Sequence, residues 1–157
     1  MGIEVTIRGK KFPLCLTVAA LDALNDKCGG IGGIMDFLRG YPSEIAQLKK
    51  DELEEAGVSV ELWMRERMEA TSRERVNNAW MLGLLIQEGE ENRLIDARFT
   101  DGDRTRRAVP GPDEMTHLLT PGEIAEYQLQ VLLAVNESMR RRIEAVPSKN
   151  VDQPGER

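Results

Sequence analysis

The sequence AWMLGLLI, at residues 79–86, is the longest apolar run in the chain. It lies in the second half of a helical pattern that extends from residue 58 to about residue 87, and it is apolar on every side of that helix. A helix of this kind is buried at the centre of a molecule or covered by a partner. The run therefore predicts the central helix of the fold. Thr71 and Glu74 have the spacing of a capping box, so the pattern also allows a new helix to begin there.

The N-terminal residues alternate between apolar and polar side chains, which is the period of a half-buried β-strand. The alternation covers residues 3–8 and 12–16, and Gly9-Lys10 between them fits a type II′ turn. Pro13 has no N–H to donate, which confines the second strand to a sheet edge. We predict a β-hairpin followed by two short helices. Their apolar positions are Val18, Leu21, Leu24 and Cys28 in the first helix, and Ile31, Ile34, Met35 and Leu38 in the second.

The C-terminal half contains further local signals. Asp101-Gly102 lies between alternating segments, which is compatible with a second hairpin near 94–109 or with a mobile loop. Pro112 and Asp113 can open a short helix. Thr120-Pro121-Gly122-Glu123 combines an N-cap, a proline at the first helical position and a capping-box glutamate. The helix that begins there should extend to about residue 146, whereas residues 40–57 read as an exposed helix or a partly ordered spacer.

These patterns predict an α+β fold that is mostly α, with an N-terminal β-hairpin followed by a compact helical bundle. We assign residues 1–146 to a single domain and residues 147–157 to a polar flexible tail. A chain of 157 residues is long enough to form one hydrophobic core. The residues expected at its centre are Trp80, Leu82, Leu85, Ile86, Ile124, Val131 and Val135.

The composition predicts a soluble intracellular protein that binds neither nucleic acid nor membrane. The net charge is −6, and the pI is about 5.0, whereas contact with phosphate backbones needs concentrated Lys and Arg. The N-terminus lacks the pattern of a signal peptide, and the longest apolar run is too short to cross a bilayer. Cys15 and Cys28 lie in apolar-periodic settings and are expected to be reduced and buried.

Motifs that carry chemistry are missing from the sequence. His117 is the only histidine, which leaves too few ligands for a typical metal site and no base for a nucleophilic triad. The glycines at residues 29–33 lack the spacing and the preceding strand of a phosphate-binding loop. Asp101-Gly102-Asp103 lacks the ligand pattern of a calcium loop. We therefore expect no enzymatic activity, no cofactor and no bound metal.

Four segments carry a resemblance to a known family. They are VTIRGKKFPLCLTVAALDAL at 5–24, GGIGGI at 29–34, WMLGLLIQEG at 80–89 and DEMTHLLTPGEIAEY at 113–127. In this order, the sequence resembles the tail assembly chaperones of siphophages and of prophages in Gram-positive bacteria. Residues 40–72 are longer than the family pattern.

The resemblance implies a binding protein that performs no chemistry. Proteins of this family coat the aggregation-prone tape measure protein until tail tube subunits polymerise around it. The implied partners are the phage tape measure protein, the tail tube protein and a longer frameshifted form of the same chain. The sequence is also compatible with a homo-oligomer. Lys149-Asn150 could be encoded by A-rich codons that permit such a frameshift. The implied location is the host cell cytoplasm, and the protein would be absent from the mature virion.

We expect the partner to bind an apolar helix surface formed by Ile34, Met35, Leu38, Met81 and Leu84. Methionine suits a surface that must fit several partner shapes. Most of the seven methionines, however, are expected to pack in the core. One alternative function is a structural virion component, such as a minor tail or head-tail connector protein. The other is a DNA-associated regulator, which the acidic composition and the absence of a basic recognition helix disfavour.

Overall fold

The computed structural model describes residues 2–29 and 33–140. It is 70% helical and begins with a two-stranded antiparallel hairpin, so the predicted fold class is confirmed. Gly30, Ile31 and Gly32 lie outside the described residues, as do residues 141–157 with Lys149-Asn150 and the predicted tail. The elements in chain order are β1 (Ile3–Ile7), β2 (Lys10–Leu14), α1 (Val18–Cys28), α2 (Gly33–Leu38), α3 (Glu44–Gln47), a 3₁₀ turn (Lys50–Glu52), α4 (Leu53–Ala56), α5 (Val60–Thr100), α6 (Pro112–Leu118) and α7 (Pro121–Met139).

The hairpin turn lies one residue earlier than predicted. Ile7 pairs with Lys10, so the two-residue turn is Arg8-Gly9 and the predicted turn at Gly9-Lys10 is wrong. Both turn residues have left-handed backbone, with φ of 49° at Arg8 and 82° at Gly9. Positive φ at both positions defines a type I′ turn, whose twist matches that of the strands. The register places the buried side chains of both strands on one face, namely Val5, Ile7, Phe12 and Leu14.

α5 is a single helix of 41 residues. The Ser59 hydroxyl caps its N-terminus by accepting a hydrogen bond from the Leu62 N–H at 3.1 Å. Asp101 ends it in a left-handed conformation with φ of 57°. Thr71 and Glu74 lie within the continuous helix, so no new helix begins at their capping-box spacing. A capping box requires extended backbone at its first residue, and Thr71 is helical.

The predicted second hairpin near 94–109 is wrong, because α5 continues through Thr100 and residues 102–111 form no regular secondary structure. Asp101-Gly102 acts as a helix stop, which uses the same positive φ that a hairpin turn would use. The apparent strand alternation before it, at residues 95–99, belongs to the last turns of α5. Within those turns Ala97 is buried, while Ile95 and Phe99 are exposed.

The core is centred where the sequence predicts it. Residues 79–86 of α5 are buried except for Trp80, which is half-buried at the edge of the core. The Trp80 ring meets the Phe37 ring edge to face at a centroid distance of 6.0 Å. The Cys15 N–H donates to the Leu85 carbonyl at 3.2 Å, which joins the end of the hairpin to α5. Three α7 side chains predicted to lie in the core are buried as expected: Ile124, Val131 and Val135.

Gly89 allows β2 to pass directly against α5. A Cβ atom at this position would lie 1.9 Å from the Pro13 carbonyl oxygen and 2.7 Å from the Pro13 carbonyl carbon. These are backbone atoms, so they cannot swing aside as the end of a flexible side chain can. The close packing of the hairpin on the central helix therefore requires glycine here, despite its low helix propensity.

Replacing Gly89 with Ala is expected to lower the free energy of unfolding by about 1–3 kcal/mol, the usual effect of overpacking. The gain in helix propensity, about 1 kcal/mol, opposes this loss but does not cancel it. Gly122→Ala is the matched control, since a Cβ atom there meets nothing within 4 Å, and it should leave stability unchanged or raise it. Urea unfolding followed by circular dichroism measures both. A Gly89→Ala protein at least as stable as the wild type would contradict the close packing of Pro13 on α5.

A buried carboxylate fixes the chain that follows α5. Glu90 is 1% exposed, and it accepts hydrogen bonds from Arg93 Nη2 at 2.7 Å and from the Arg107 backbone N–H at 2.7 Å. Arg93 Nη2 also donates to the Thr105 carbonyl at 2.7 Å. The hydrogen bond from Arg93, together with those from Arg107, lowers the Glu90 pKa to about 2 against the raising effect of burial. This cluster holds residues 102–111 against α5.

Residues 40–57, predicted as an exposed helix or a partly ordered spacer, form α3, the 3₁₀ turn and α4. α3 contacts α5. Leu53 is buried in this segment. The Trp63 indole N–H donates to the Leu48 carbonyl at 2.9 Å, and Arg73 Nε donates to the Gly40 carbonyl at 2.8 Å. These bonds dock the segment against one side of α5.

The capping box at the start of α7 is confirmed. The Glu123 carboxylate accepts from the Thr120 N–H at 3.0 Å, and the Thr120 hydroxyl accepts from the Glu123 N–H at 3.3 Å. α7 ends at Met139, because Arg140 has extended backbone with ψ of 141°. The predicted continuation to about residue 146 lies outside the described residues.

Candidate functional site

The N-terminal half of α5 exposes a row of apolar side chains. Val60, Met64 and Met68 are spaced by four residues, so they lie along one side of the helix. Their exposed fractions are 48%, 52% and 69%. We call these three side chains the methionine ridge. An apolar row that stays exposed on a folded chain is typical of an interaction site.

A groove lies on each side of the methionine ridge. Met64, Met68 and Ser72 line both grooves, so the ridge separates them. The first groove has a volume of about 710 Å³ and is bounded by α5 and by Lys50 of the 3₁₀ turn. The second groove is shallower and lies between side chains of α5 alone. A helical ridge between two grooves has the shape into which another helix packs, because ridges of one helix fit grooves of the next.

The two grooves differ in charge. The charged side chains that line the first groove are all basic, namely Lys50, Arg67 and Arg75. The second groove is lined by Glu61, Arg65 and Glu69. Within residues 2–29 and 33–140, none of these six side chains forms a salt bridge. Their charges are therefore available to a partner.

Trp63 makes the base of the first groove rigid. Its indole N–H is bonded to the Leu48 carbonyl, and the Arg67 guanidinium lies over its ring at 4.8 Å from the centroid. The ring thus joins α5 to the segment before it. A surface held in this way loses little conformational freedom when a partner binds.

The structure contradicts four of the five predicted partner-binding residues. Ile34, Leu38, Met81 and Leu84 are between 0% and 6% exposed and belong to the hydrophobic core, so they form no surface groove. Met35, at 45%, is exposed. The prediction was wrong because α2 packs its apolar side on residues of α5 that are themselves enclosed by the hairpin, α6 and α7.

The expectation that most methionines pack in the core does not identify the exposed ones. Met81 and Met115 are fully buried, but Met64, Met68 and Met139 are exposed. The sequence feature that predicts exposure of Met64 and Met68 is their neighbourhood, because charged residues dominate the helix between residues 61 and 75. Isolated apolar side chains at helical spacing in such a segment indicate a narrow exposed stripe.

The described residues include no group of three or more His, Cys, Asp or Glu side chains that could hold a metal ion. His117 Nδ1 lies 2.9 Å from the Asp113 carbonyl oxygen, within its own helix. The Asp103 carboxylate accepts from the Thr105 N–H at 2.9 Å, which is a local turn contact. In the described ranges, no helix combines the length and the apolar character that crossing a bilayer requires.

Comparison with known proteins identifies no relative: no protein-family model, no curated protein and no solved structure matches this chain.

Proposed function

We propose that this protein is a tail assembly chaperone of a long-tailed phage or prophage, which binds the tape measure protein and keeps it soluble before tube polymerisation. The binding surface in this proposal is the methionine ridge with the basic groove beside it. The partner assignment rests on the sequence resemblance. The single structural observation that supports a binding role is the exposure of Met64 and Met68 between two grooves.

The proposed occupant is an amphipathic helix of the tape measure protein whose apolar stripe is bordered by acidic side chains. Its apolar stripe would cover the methionine ridge, and its acidic border would face Lys50, Arg67 and Arg75. Unbranched thioether side chains adapt to different apolar shapes. One ridge could therefore serve many successive segments of a long helical protein.

The proposed contact is small enough to be reversible. Burial of apolar surface contributes roughly 25 cal/mol per Å², and association costs several kcal/mol before any net affinity remains. A contact over a few turns of helix then binds weakly at each segment. Weak binding suits a chaperone that tail tube subunits must displace.

We expect the Met64→Asp/Met68→Asp double variant to fold as the wild type does, because both side chains are exposed, and to lose at least about tenfold in affinity for the tape measure protein. The measurement is co-expression with that protein, followed by the soluble fraction and pull-down of the complex. Leu129→Asp on α7 is the matched control, since Leu129 is an exposed apolar side chain on a different helix.

If the wild type leaves tape measure solubility unchanged and recovers no complex, the chaperone function is refuted. If the double variant binds as well as the wild type, the methionine ridge is not the surface. Detection of the protein in purified virions would instead favour the structural alternative, a minor tail or head-tail connector protein.

A further inference from the structure

We infer that two copies of this protein pair through the N-terminal halves of α5, in antiparallel orientation about Met68. This inference goes beyond the proposed function, since pairing requires no tape measure protein. It concerns the same exposed side of α5, so it also implies that the methionine ridge is partly covered when the protein is concentrated and no partner is present.

The first observation is the order of side chains along the exposed side of α5. Glu61, Met68 and Arg75 are spaced by seven residues, roughly two helical turns, so they lie almost on one line. All three are exposed. Ala70, which lies on the opposite side of the helix, is 6% exposed. The line therefore runs along the middle of the exposed side, from an acidic end through an apolar centre to a basic end.

The acidic end of one helix meets the basic end of a second copy only when the two helices run in opposite directions. An antiparallel pair with its two-fold axis at Met68 places Glu61 of each copy opposite Arg75 of the other. A parallel pair would place Glu61 against Glu61 and Arg75 against Arg75, which is repulsive. Charge complementarity of this kind sets the orientation and register of helix pairs.

One edge of the contact pairs opposite charges in the antiparallel arrangement. Arg65 and Glu69 lie on the same edge of the exposed side, and the two-fold axis brings Arg65 of one copy close to Glu69 of the other. On the opposite edge the two-fold axis brings the Arg67 side chains of the two copies near each other, and each guanidinium lies over the Trp63 ring of its own chain. In the described part of the chain, Glu61, Arg65, Glu69 and Arg75 form no salt bridge.

The size of the surface predicts a weak dimer. The exposed side between residues 60 and 76 is about 25 Å long, and a helix is roughly 10 Å wide. This footprint of roughly 250 Å² per copy is far below the ~800 Å² per partner of a stable interface. We expect a dissociation constant between micromolar and millimolar.

Sedimentation equilibrium of the full chain, from low micromolar to millimolar protein, tests the pairing. Glu61→Arg and Arg75→Glu should each weaken the dimer at least about tenfold, because the two-fold axis turns each single change into two like-charge contacts. The double variant Glu61→Arg/Arg75→Glu restores opposite charges and should return the dissociation constant to within about threefold of the wild type. Glu126→Arg on α7 is the control for net charge, since Glu126 is exposed away from this surface.

A wild type that stays monomeric at millimolar concentration overturns the inference, and so does a double variant that associates no better than the single variants. Thermal melts by circular dichroism establish that each variant is folded, and Arg75→Glu remains informative if Glu61→Arg weakens the first turn of α5. The two proposals fail separately. Charge-dependent pairing without tape measure binding refutes only the proposed function, whereas tape measure binding by a strict monomer refutes only the pairing.

Discussion

Replacing Leu84 with Asp is expected to leave the protein unfolded, whereas Met35→Asp should lower the free energy of unfolding by less than about 1 kcal/mol. Leu84 is 6% exposed inside the hydrophobic core, while Met35 is 45% exposed on α2. Removing a buried leucine side chain costs about 2–5 kcal/mol. An unpaired buried carboxylate adds a further desolvation penalty. The free energy of unfolding of a whole domain is about 5–15 kcal/mol, so the expected loss is close to the whole stability.

Far-ultraviolet circular dichroism and urea unfolding of the two variants measure this difference. The result also decides whether Leu84 and Met35 pack in the core or face a partner, since the sequence predicts partner contact for both. If Leu84→Asp folds with wild-type stability and loses partner binding, residue 84 lies on the surface and is not buried in the core. If Met35→Asp unfolds the protein, α2 is packed differently from the arrangement described here.

Replacing Glu90 with Ala is expected to lower the free energy of unfolding by about 3 kcal/mol, because it removes several hydrogen bonds to a buried charged group. The substitution leaves Arg93 and Arg107 without the carboxylate that they share, and it frees the backbone N–H of Arg107. Residues 102–111 should then detach from α5. Urea unfolding gives the energy, and amide hydrogen exchange at residues 102–111 should report the detachment.

Glu91→Ala is the matched control for Glu90→Ala. Glu91 is the next residue of the same helix, but its ion pair with Arg106 is largely exposed to solvent. Solvent screens pairs of that kind, so we expect Glu91→Ala to leave the free energy of unfolding nearly unchanged. Equal losses in the two variants would show that burial of Glu90 is not what makes its interactions strong.

The Glu90 carboxyl also predicts how stability depends on pH. Its pKa is lowered from 4.5 to about 2, chiefly by the hydrogen bond from Arg93. A lowered folded-state pKa contributes stability above the unfolded value, and this contribution is lost as the pH falls from about 4.5 through about 2. The shift corresponds to roughly 3 kcal/mol. We expect the wild type to lose stability in this range, and Glu90→Gln to show a flatter profile when unfolding is measured at each pH.

Much of the fold could be predicted from sequence because its signals are local. The capping box of Thr120 and Glu123 depends on residues three apart, and the alternation of residues 3–7 reports one face of a strand. The apolar run at residues 79–86 has no polar side to expose, so burial was the expected outcome. These predictions needed no knowledge of what lies next to each element.

The predicted binding residues failed because the choice between core and surface is not local. Met81 and Met64 both lie on α5 at apolar helical positions, yet the former is fully buried and the latter half exposed. The difference is that the hairpin, α6 and α7 enclose the second half of α5 and leave the first half open on one side. The apolar periodicity of a helix predicts which residues share a face, but it does not predict whether another element covers that face.

The sequence by itself determined that this chain folds as a hairpin followed by helices around residues 79–86, because strand alternation, helix caps and apolar periodicity act between near neighbours. Only the tertiary structure decided that Asp101-Gly102 ends a helix and does not turn a hairpin, since both uses need the same left-handed backbone and differ only in what packs beside them. It also decided that Val60, Met64 and Met68 stay exposed while Ile34 and Leu84 are buried. Burial depends on elements distant in sequence, and a local pattern carries no information about them.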